Sequence, residues 1–330
     1  MNKFSAAQIA AAINGKVTPE QIQIIESELA PAVVIAGAGS GKTETMANRV
    51  LYLIANQIAK PEEILGLTFT RKAAAELKQR IRKRLRQLIA AKILPEGSSI
   101  DVPVMTYHAY AGALLAEHGL RIGIDGDVEL VGEANLWQQA NSIIRNWSDE
   151  DFRYENAVST LIDDVLGLTK NVLEHQVDLI ELKRNHEKIL NQLEKLAPGK
   201  ADENATVKGA IKVLSQRLRF IPIVEKFIDQ RRNGGAIAFD DQMALAAELA
   251  MKLPEVSEIE RAKFKLVLLD EYQDTSQSQV RMLSALYGNG HPVTAVGDPY
   301  QAIYGWRGAA IGTIKNFAID FPGANREFNL

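Results

Sequence analysis

One octapeptide constrains the fold of this chain more than any other stretch. Residues 36–43 read AGAGSGKT, and they lie between the apolar run AVVIA at 32–36 and a helical pattern that begins near Lys42. Glycines at alternate positions let the backbone turn its N–H groups inward, and the helix adds the positive end of its dipole. A strand, a glycine-rich turn and a helix in this order predict a loop that binds phosphate groups.

The polar residues of this loop have predicted roles. Lys42 is expected to bridge the β- and γ-phosphates of a nucleotide, and the hydroxyl of Thr43 is expected to bind Mg²⁺. The residues predicted to line the nucleotide are Ala36, Gly37, Ala38, Gly39, Ser40, Gly41, Lys42 and Thr43. Ala36 stands where the simplest form of the pattern has glycine.

Short apolar runs predict the strands of a sheet. They are residues 32–36, 64–68, 102–106, 266–269 and 293–296. Each run is followed by a polar turn and a helix-like stretch, which favours a parallel sheet. From about 133 to 232 the pattern is helical. The expected fold is therefore α/β with an inserted all-helical domain, whose core would hold Trp137 and Trp147.

Composition excludes several kinds of site. The chain of 330 residues is longer than a usual single domain and contains no cysteine, which rules out disulfides and thiolate metal sites. No apolar run reaches the roughly 18 residues needed to span a bilayer. The five histidines are scattered and predict no metal-ligand cluster, and His118 is expected on the surface.

Positive charge is concentrated in one segment. Residues 71–92 carry nine Lys or Arg against one acid, so this segment is +8 in a chain whose net charge is −3. Apolar residues recur within it at helical spacing, so one face is expected to pack on the core. The charged face predicts either a local anionic partner or an ordinary solvated surface.

An acidic pair is predicted at the end of an apolar strand. LVLLDE at 266–271 places Asp270 and Glu271 at the carboxyl end of that strand, where α/β proteins bind ligands. Asp270 is expected to hold Mg²⁺, partly through water, and Glu271 to orient or deprotonate an attacking water. Phosphoryl transfer needs both roles, because its catalysis is mostly positioning and charge stabilisation.

The stretch VGDPYQAIYGWRGA at 296–309 follows a further strand and is expected along the same edge of the sheet. Gln301 is placed to reach the γ-phosphate and report its presence. Tyr304 and Trp306 offer flat surfaces to unstacked bases, and each such contact contributes about 1–3 kcal/mol. Together these residues would couple the nucleotide state to the grip on a nucleic-acid strand.

Seven motifs occur in order along the chain. They are TPEQ at 18–21, AGAGSGKT at 36–43, LTFTRKAAAELKQRI at 67–81, TYHAYAGALLAEHG at 106–119, FDDQMALA at 239–246, LLDEYQDTSQSQ at 268–279 and VGDPYQAIYGWRGA at 296–309. Together they resemble the motifs of the superfamily 1A DNA helicases, the UvrD, Rep and PcrA group. The proline in GDPYQ is similar to the branch that includes the RecB and AddA helicase–nucleases.

The resemblance implies further site residues. Gln21 would read the adenine base, Gln273 would link the ATP and DNA sites, and Arg307 would brace the domain interface. The residues implied to bind DNA are Phe69, Thr70, Arg71, Lys72, His108, Tyr304 and Trp306. Glu44 departs from the family, because many members carry there an arginine that stacks on adenine.

The resemblance also implies a domain plan. A RecA-like P-loop NTPase domain, 1A, would comprise residues 1–110 and 235–330, and a helical domain, 1B, would comprise 111–234. REFNL at 326–330 looks like the approach to a second RecA-like domain, which is expected to be absent from this chain. Since an arginine supplied by that domain is worth about 10³–10⁵ in rate, the chain alone is expected to bind ATP, hydrolyse it weakly and not unwind DNA.

The implied activity is an ATP- and Mg²⁺-dependent DNA helicase or translocase that moves 3′ to 5′. Its partners would be single-stranded DNA or 3′-tailed duplex DNA, together with repair or recombination proteins, in a bacterial-type, nucleoid-associated cytoplasmic setting without a membrane. Three alternatives stay open: a P-loop ATPase that remodels protein or RNA, an ATPase subunit of a helicase–nuclease complex, and a DNA-binding assembly module without motor activity.

Overall fold

A six-stranded parallel sheet carries most of the residues singled out above. The computed structural model describes residues 3–124, 129–147, 157–196, 201–233, 236–238, 241–301, 312–323 and 326–330. The strands, numbered along the chain, are β1 Ala32–Ile35, β2 Ile64–Thr68, β3 Val104–Thr106, β4 Glu129–Val131, β5 Ala236–Ala238, β6 Leu266–Leu269, β7 Val293–Gly297 and β8 Arg326–Asn329. The large sheet has the order β3-β2-β6-β7-β1-β8, and each neighbouring pair is parallel.

The five predicted strands of this sheet are confirmed. β3 starts at Val104, two residues later than the predicted run. β8 was not predicted from its sequence, REFN, because Phe328 is its one apolar residue. The strands β2, β6 and β7 are buried along their whole length, as expected for central strands covered by helices on both faces.

Helices connect and cover the strands. They are α1 Ala6–Ala12, α2 Pro19–Ile25, α3 Lys42–Ala55, α4 Arg71–Ala90, α5 Tyr107–His118, α6 Glu133–Arg145, α7 Val158–Glu174, α8 Leu179–Leu196, α9 Ala201–Asn233, α10 Asp241–Lys252, α11 Pro254–Lys263, α12 Gln277–Tyr287 and α13 Phe317–Asp320. The basic segment forms α4, whose buried face carries Leu77, Ile81, Leu85 and Leu88. In the described part of the chain, no helix has both the length and the apolar character to cross a bilayer.

The carboxyl ends of the six strands share one edge of the sheet, because all six run in the same direction. The phosphate loop follows β1, and Phe69 and Thr70 follow β2. His108 lies just after β3, Asp270 directly after β6, and Asp298 directly after β7. This edge is where open α/β sheets bind ligands, at the point where the strand order reverses.

The chain divides into two compact units. One comprises Met1–His118 and Leu245–Leu330, and the other comprises Gly119–Ala244. The predicted inserted segment, 111–234, starts and ends earlier than the second unit, since α5 belongs to the first unit and β5 to the second.

The second unit is mainly helical. Its core is built from α6, α7 and α9, and includes Ile143, Ile162, Val224 and Phe227. A short parallel pair, β4 with β5, adds strand structure that the all-helical prediction did not include. Three-residue strands give too short a pattern to be distinguished from helix by periodicity.

Two predictions about single side chains are wrong. Trp137 was expected in the helical core, but it is 38% exposed, whereas Trp147 is half-buried against that core. His118 was expected on the surface, but it is 4% exposed, and with Glu117 and Glu260 it forms a group whose ligand atoms lie within 4.8 Å of one another. Lys263 also contacts both of these carboxylates, at 3.3 and 3.4 Å, and so offsets part of their charge.

Candidate nucleotide-binding site

The phosphate loop has the backbone conformation that its glycines permit. Gly39 and Gly41 have φ angles of 75° and 91°, in the left-handed region that strains other residues. A Cβ at Gly41 would lie 2.9 Å from Nε2 of Gln21, so this glycine also allows a close approach. Ala36, the first residue of the loop, is fully buried and donates its N–H to Gly297 O at 3.0 Å.

Lys42 is the first residue of α3 and points to the acidic pair. Its ammonium lies 3.5 Å from Oε2 of Glu271, and its side chain is 11% exposed. Glu271 has φ 50°, an uncommon left-handed value for a residue other than glycine. Backbone strain of this kind often occurs at functional sites. Here it occurs directly after β6, at the residue that contacts Lys42.

Asp270 is a buried acid without a hydrogen-bond partner for one of its oxygens. It is 6% exposed, and Oδ1 has no partner within the described residues. Burial, and then the neighbouring charge of Glu271, raise the pKa of Asp270 from 3.8 to about 6. A buried oxygen with unused acceptor capacity is available to a cation.

These residues fit a bound Mg²⁺ ion. Asp270 offers a free carboxylate oxygen, and the half-buried Thr43 lies in the first turn of α3, beside Lys42. Both are oxygen ligands of the kind that Mg²⁺ prefers. When bound, the ion would supply positive charge to the phosphate oxygens of a nucleotide.

Replacing Asp270 by asparagine is expected to stabilise the protein at pH 8 in the absence of nucleotide and metal. The pKa of Asp270 is about 6 in the folded protein, and its ordinary value is 3.8. Ionisation of Asp270 therefore destabilises the folded protein. This destabilisation grows as the pH rises from 3.8 to about 6 and reaches its full size at higher pH. The gain is at most about 3 kcal/mol at pH 8 and vanishes below pH 4. Denaturant unfolding of both proteins between pH 4 and 8 measures it.

The exposed residue Asp229 gives the matched control, since Asp229→Asn removes a carboxylate from the surface of α9. Its effect should be small, because solvent screens an exposed charge. An Asp270→Asn effect that stays constant with pH, or that destabilises at pH 8, would contradict this account of the buried charge.

A chain of hydrogen bonds joins the ends of β6 and β7. Nε2 of Gln273 donates to Glu271 Oε2 at 2.9 Å and to Asp274 Oδ2 at 3.1 Å. The backbone N–H of Asp298 donates to Oε1 of the same glutamine at 3.0 Å. Nε2 of Gln301 donates to Asp298 Oδ2 at 2.8 Å. Gln273 therefore connects the acidic pair to the residue predicted to sense the γ-phosphate.

The link requires close packing at Gly297. A Cβ there would lie 2.4 Å from Gln273 Oε1 and 2.8 Å from Ile314 Cδ1, so no larger residue fits without movement. Asp274 and Asp298 were not predicted as site residues, although both lie inside quoted motifs. Burial, and then Glu271, raise the pKa of Asp274 to about 6, which places a second perturbed acid next to Glu271.

Gln21 lies beside the phosphate loop on a helix that is tied to α3. Its Oε1 accepts the Thr18 N–H at 3.0 Å in a capping box at the start of α2, and its side chain is buried. Arg49 on α3 is 1% exposed and donates to the carbonyls of Ile24 at 2.7 Å and Glu28 at 3.2 Å. Arg49 had no predicted role, yet it fixes the end of α2 against the helix of the phosphate loop.

Glu44 faces the basic helix. It contacts Arg80 at 3.2 Å and Arg84 at 2.5 Å. Burial alone would raise the pKa of Glu44, but hydrogen bonding and charge from Arg84 and Arg80 outweigh it and hold the pKa below its usual range. Glu44, at which the sequence departs from the family's motif, therefore anchors α4.

The described residues predicted to bind DNA lie after β2 and β3. Phe69 is half-buried, with its ring edge-to-face on Tyr107 at 6.2 Å, and Thr70 caps α4 by accepting the Ala73 N–H at 3.0 Å. Arg71 and Lys72 are exposed, and His108 is half-buried. Tyr304, Trp306 and Arg307 lie outside the described residues.

Tyr107 connects this region to the acidic pair. It is buried, and its hydroxyl donates to the backbone oxygen of Asp270 at 3.1 Å. Burial, and then the charge of Asp270, raise the pKa of Tyr107 well above 10, so the hydroxyl keeps its proton. Phe69, Tyr107 and Asp270 thus form a continuous contact from β2 to the end of β6.

The fold and the site define the class of protein. A parallel sheet with a phosphate loop after β1 and an acidic pair after β6 is the arrangement of the RecA-like P-loop NTPases. Residues 17–322 match the family model of the UvrD/REP helicase N-terminal domain. The chain belongs to this family, which confirms the resemblance found in its motifs.

Relatives with assigned names agree with the family. The chain is 28% identical over 310 residues to the ATP-dependent DNA helicase PcrA of Staphylococcus aureus, covering 94% of this chain and 37% of the relative. It is 28% identical over 308 residues to DNA helicase II of Rickettsia typhi, covering 89% and 39%. The chain thus spans little more than a third of the length of these curated relatives.

Proposed function

We propose that this chain is the ATP-binding motor domain of a UvrD-like, ATP-dependent DNA helicase that translocates 3′ to 5′ along single-stranded DNA. The observation that carries the proposal is the continuous link from Lys42 and Glu271 through Gln273 to Asp298 and Gln301. A motor must couple its nucleotide site to its track, and this link leads from the acidic pair into the stretch that contains the predicted base-stacking residues.

The arrangement supports a division of labour in ATP hydrolysis. Lys42 would bind the β- and γ-phosphates, and its 3.5 Å contact with Glu271 would weaken as the phosphates compete for the ammonium. Glu271 would then be free to accept the proton of an attacking water. Asp270 and Thr43 would hold Mg²⁺, Gln301 would sense the γ-phosphate, and residues 36–43 would cradle the phosphates.

The proposed domain 1A comprises residues 1–110 and 235–330, and domain 1B comprises 111–234; the two compact units divide the chain slightly later, after His118 and after Ala244. Further catalytic arginines would come from a second RecA-like domain, as the greater length of the relatives suggests. Alone, this chain would bind ATP, hydrolyse it weakly and not unwind DNA.

The DNA partner would be single-stranded DNA or 3′-tailed duplex DNA. Phe69, Thr70, Arg71, Lys72 and His108 lie after β2 and β3 on the edge that carries the acidic pair, which supports a strand path there. Tyr304 and Trp306 would add base-stacking surfaces. The bacterial origin of the relatives supports work on nucleoid DNA in the cytoplasm, with repair or recombination proteins as further partners.

The coupling is testable through Gln273. For the unaltered chain, single-stranded DNA is expected to change the affinity for a fluorescent ATP analogue. Gln273→Ala should retain ATP binding, because Lys42 and the phosphate loop are untouched, but lose most of the DNA-dependent shift. Gln279→Ala is the control, since it removes a buried glutamine whose side chain caps α12 outside the link.

Two results would contradict the proposal. A shift in affinity that survives in Gln273→Ala would show that the link does not couple the sites. Tight DNA binding by the unaltered chain without any affinity for ATP would instead favour the DNA-binding assembly module.

A further inference from the structure

The cations of α4 divide into two groups. Four of them lie on the flanks of the helix and share two acids: Arg80 and Arg84 contact Glu44, and Lys78 and Arg82 contact Asp101. The other four are exposed: three lie on the side opposite the buried leucines, and the fourth, Arg71, is the first residue of the helix. These four are Arg71, Lys72, Lys83 and Arg86, hereafter the α4 ridge.

The α4 ridge is poorly neutralised. Among the residues that the structure describes, Arg71, Lys83 and Arg86 have no ion-pair partner. Lys72 has one long contact of 3.9 Å with Glu76, and its side chain is 87% exposed, so solvent screens it. Glu44 and Asp101 neutralise cations on the flanks of this helix, whereas the α4 ridge contacts a single acid, Glu76, within the described residues.

The length of α4 suits an extended ligand. The 20 residues of α4 give it a length of about 30 Å. At a rise of about 3.4 Å per nucleotide in a helical strand, this length spans roughly nine nucleotides.

The chemistry favours a nucleic-acid backbone over an acidic protein. Between its cations the ridge presents Ala75, Glu76 and Gln79, none of them a large apolar side chain. Protein interfaces obtain most of their affinity from buried aromatic or apolar anchors, whereas phosphate backbones bind through cations alone.

The position of α4 favours DNA that already occupies the motor. α4 begins with Arg71 at the carboxyl edge, directly after Phe69 and Thr70. Because β2 and β3 are parallel neighbours, the helix between them must return the chain from the carboxyl edge to the amino edge. DNA leaving the carboxyl edge along α4 would therefore follow the ridge.

We propose that the α4 ridge binds the phosphate backbone of DNA beyond the segment held at the carboxyl edge of the sheet. This inference rests on the proposed function and extends the DNA contact along the outside of α4. It predicts a site that adds affinity for long DNA without contributing to short DNA.

The test reverses the two ridge charges that have no other assigned role. Lys83→Glu with Arg86→Glu is compared with the unaltered chain, using labelled oligothymidylates of about 8 and about 30 nucleotides. Arg184→Glu with Lys188→Glu is the control, because it reverses one lysine and one arginine, both exposed, a turn apart on α8. Unchanged ATP binding confirms that each variant is folded.

The ridge variant is expected to lose about tenfold in affinity for the long oligonucleotide and to keep its affinity for the short one. Its logarithmic salt dependence should fall by about 1.4, the value for two lost contacts to a single strand. The control should match the unaltered chain in both measurements.

Several results would overturn the inference. They are an equal loss for both lengths, no loss for the long DNA, or an equal loss in the α8 control. Loss of binding to polyglutamate with DNA affinity retained would assign the ridge to an acidic protein instead. An unaltered chain that binds neither oligonucleotide would overturn the proposed function as well, so the two failures are distinguishable.

Discussion

Replacing Lys42 by alanine is expected to lower the affinity for Mg-ATP about 10- to 100-fold. Lys42 is the first residue of α3, and its ammonium lies 3.5 Å from Glu271. A hydrogen bond from a charged donor contributes about 1.5–3 kcal/mol, which corresponds to this range. Titration of a fluorescent ATP analogue measures the change directly.

The same substitution has an electrostatic consequence. Lys42 lowers the pKa of Asp270, so its loss should move that pKa further above its value of about 6. Lys60→Ala is the matched control, because Lys60 is exposed and lies before β2, at the opposite edge of the sheet. An equal loss of ATP affinity in both variants, or none in Lys42→Ala, would mean that this loop does not bind the nucleotide.

Replacing Arg49 by methionine is expected to destabilise the protein by about 3 kcal/mol or more. The Arg49 guanidinium is buried and donates to the backbone oxygens of Ile24, Ser27 and Glu28 at 2.7–3.2 Å. Methionine fills similar volume but donates no hydrogen bond to these oxygens, and each hydrogen bond from a charged donor contributes about 1.5–3 kcal/mol. Urea unfolding with a constant m-value measures the loss.

Arg80→Met separates this effect from a general loss of arginine. Arg80 is 41% exposed and contacts Glu44 at the surface, so its removal should cost less than about 1 kcal/mol. Equal destabilisation by the two substitutions would refute the role given to Arg49. Burial also lowers the pKa of Arg49 to about 10, still far above neutral pH, so the guanidinium stays charged while it holds α2.

The strands and the phosphate loop were predictable because their signals are local. AVVIA, the glycine spacing and Lys42 are contiguous, and LVLLDE joins a buried strand to its acids within six residues. Such stretches fix their backbone conformation through turn chemistry and burial, which act over a few residues. β8 and the pair β4–β5 were missed because their strands are too short or too polar to show a period of two.

The contacts among site residues were not predictable in the same way. Gln273 meets Asp298 across 25 positions, Arg49 meets Ile24 across 25, and Arg84 meets Glu44 across 40. No spacing rule relates such residues, because their proximity depends on the order of the strands in the sheet. Glu44 is the clearest case. The sequence shows only that it departs from the family pattern, whereas the structure shows that it pairs with Arg80 and Arg84 on α4.

The sequence alone determined that this chain forms an α/β fold with a phosphate loop, a strand-end acidic pair and one strongly basic helix. The tertiary structure decided which of these groups meet: Lys42 with Glu271, Gln273 with Asp298, and the flanking cations of α4 with Glu44 and Asp101. The physical reason is that residue identity and short-range periodicity fix local conformation, whereas the pairing of distant charges requires the strand order that places β7 between β1 and β6.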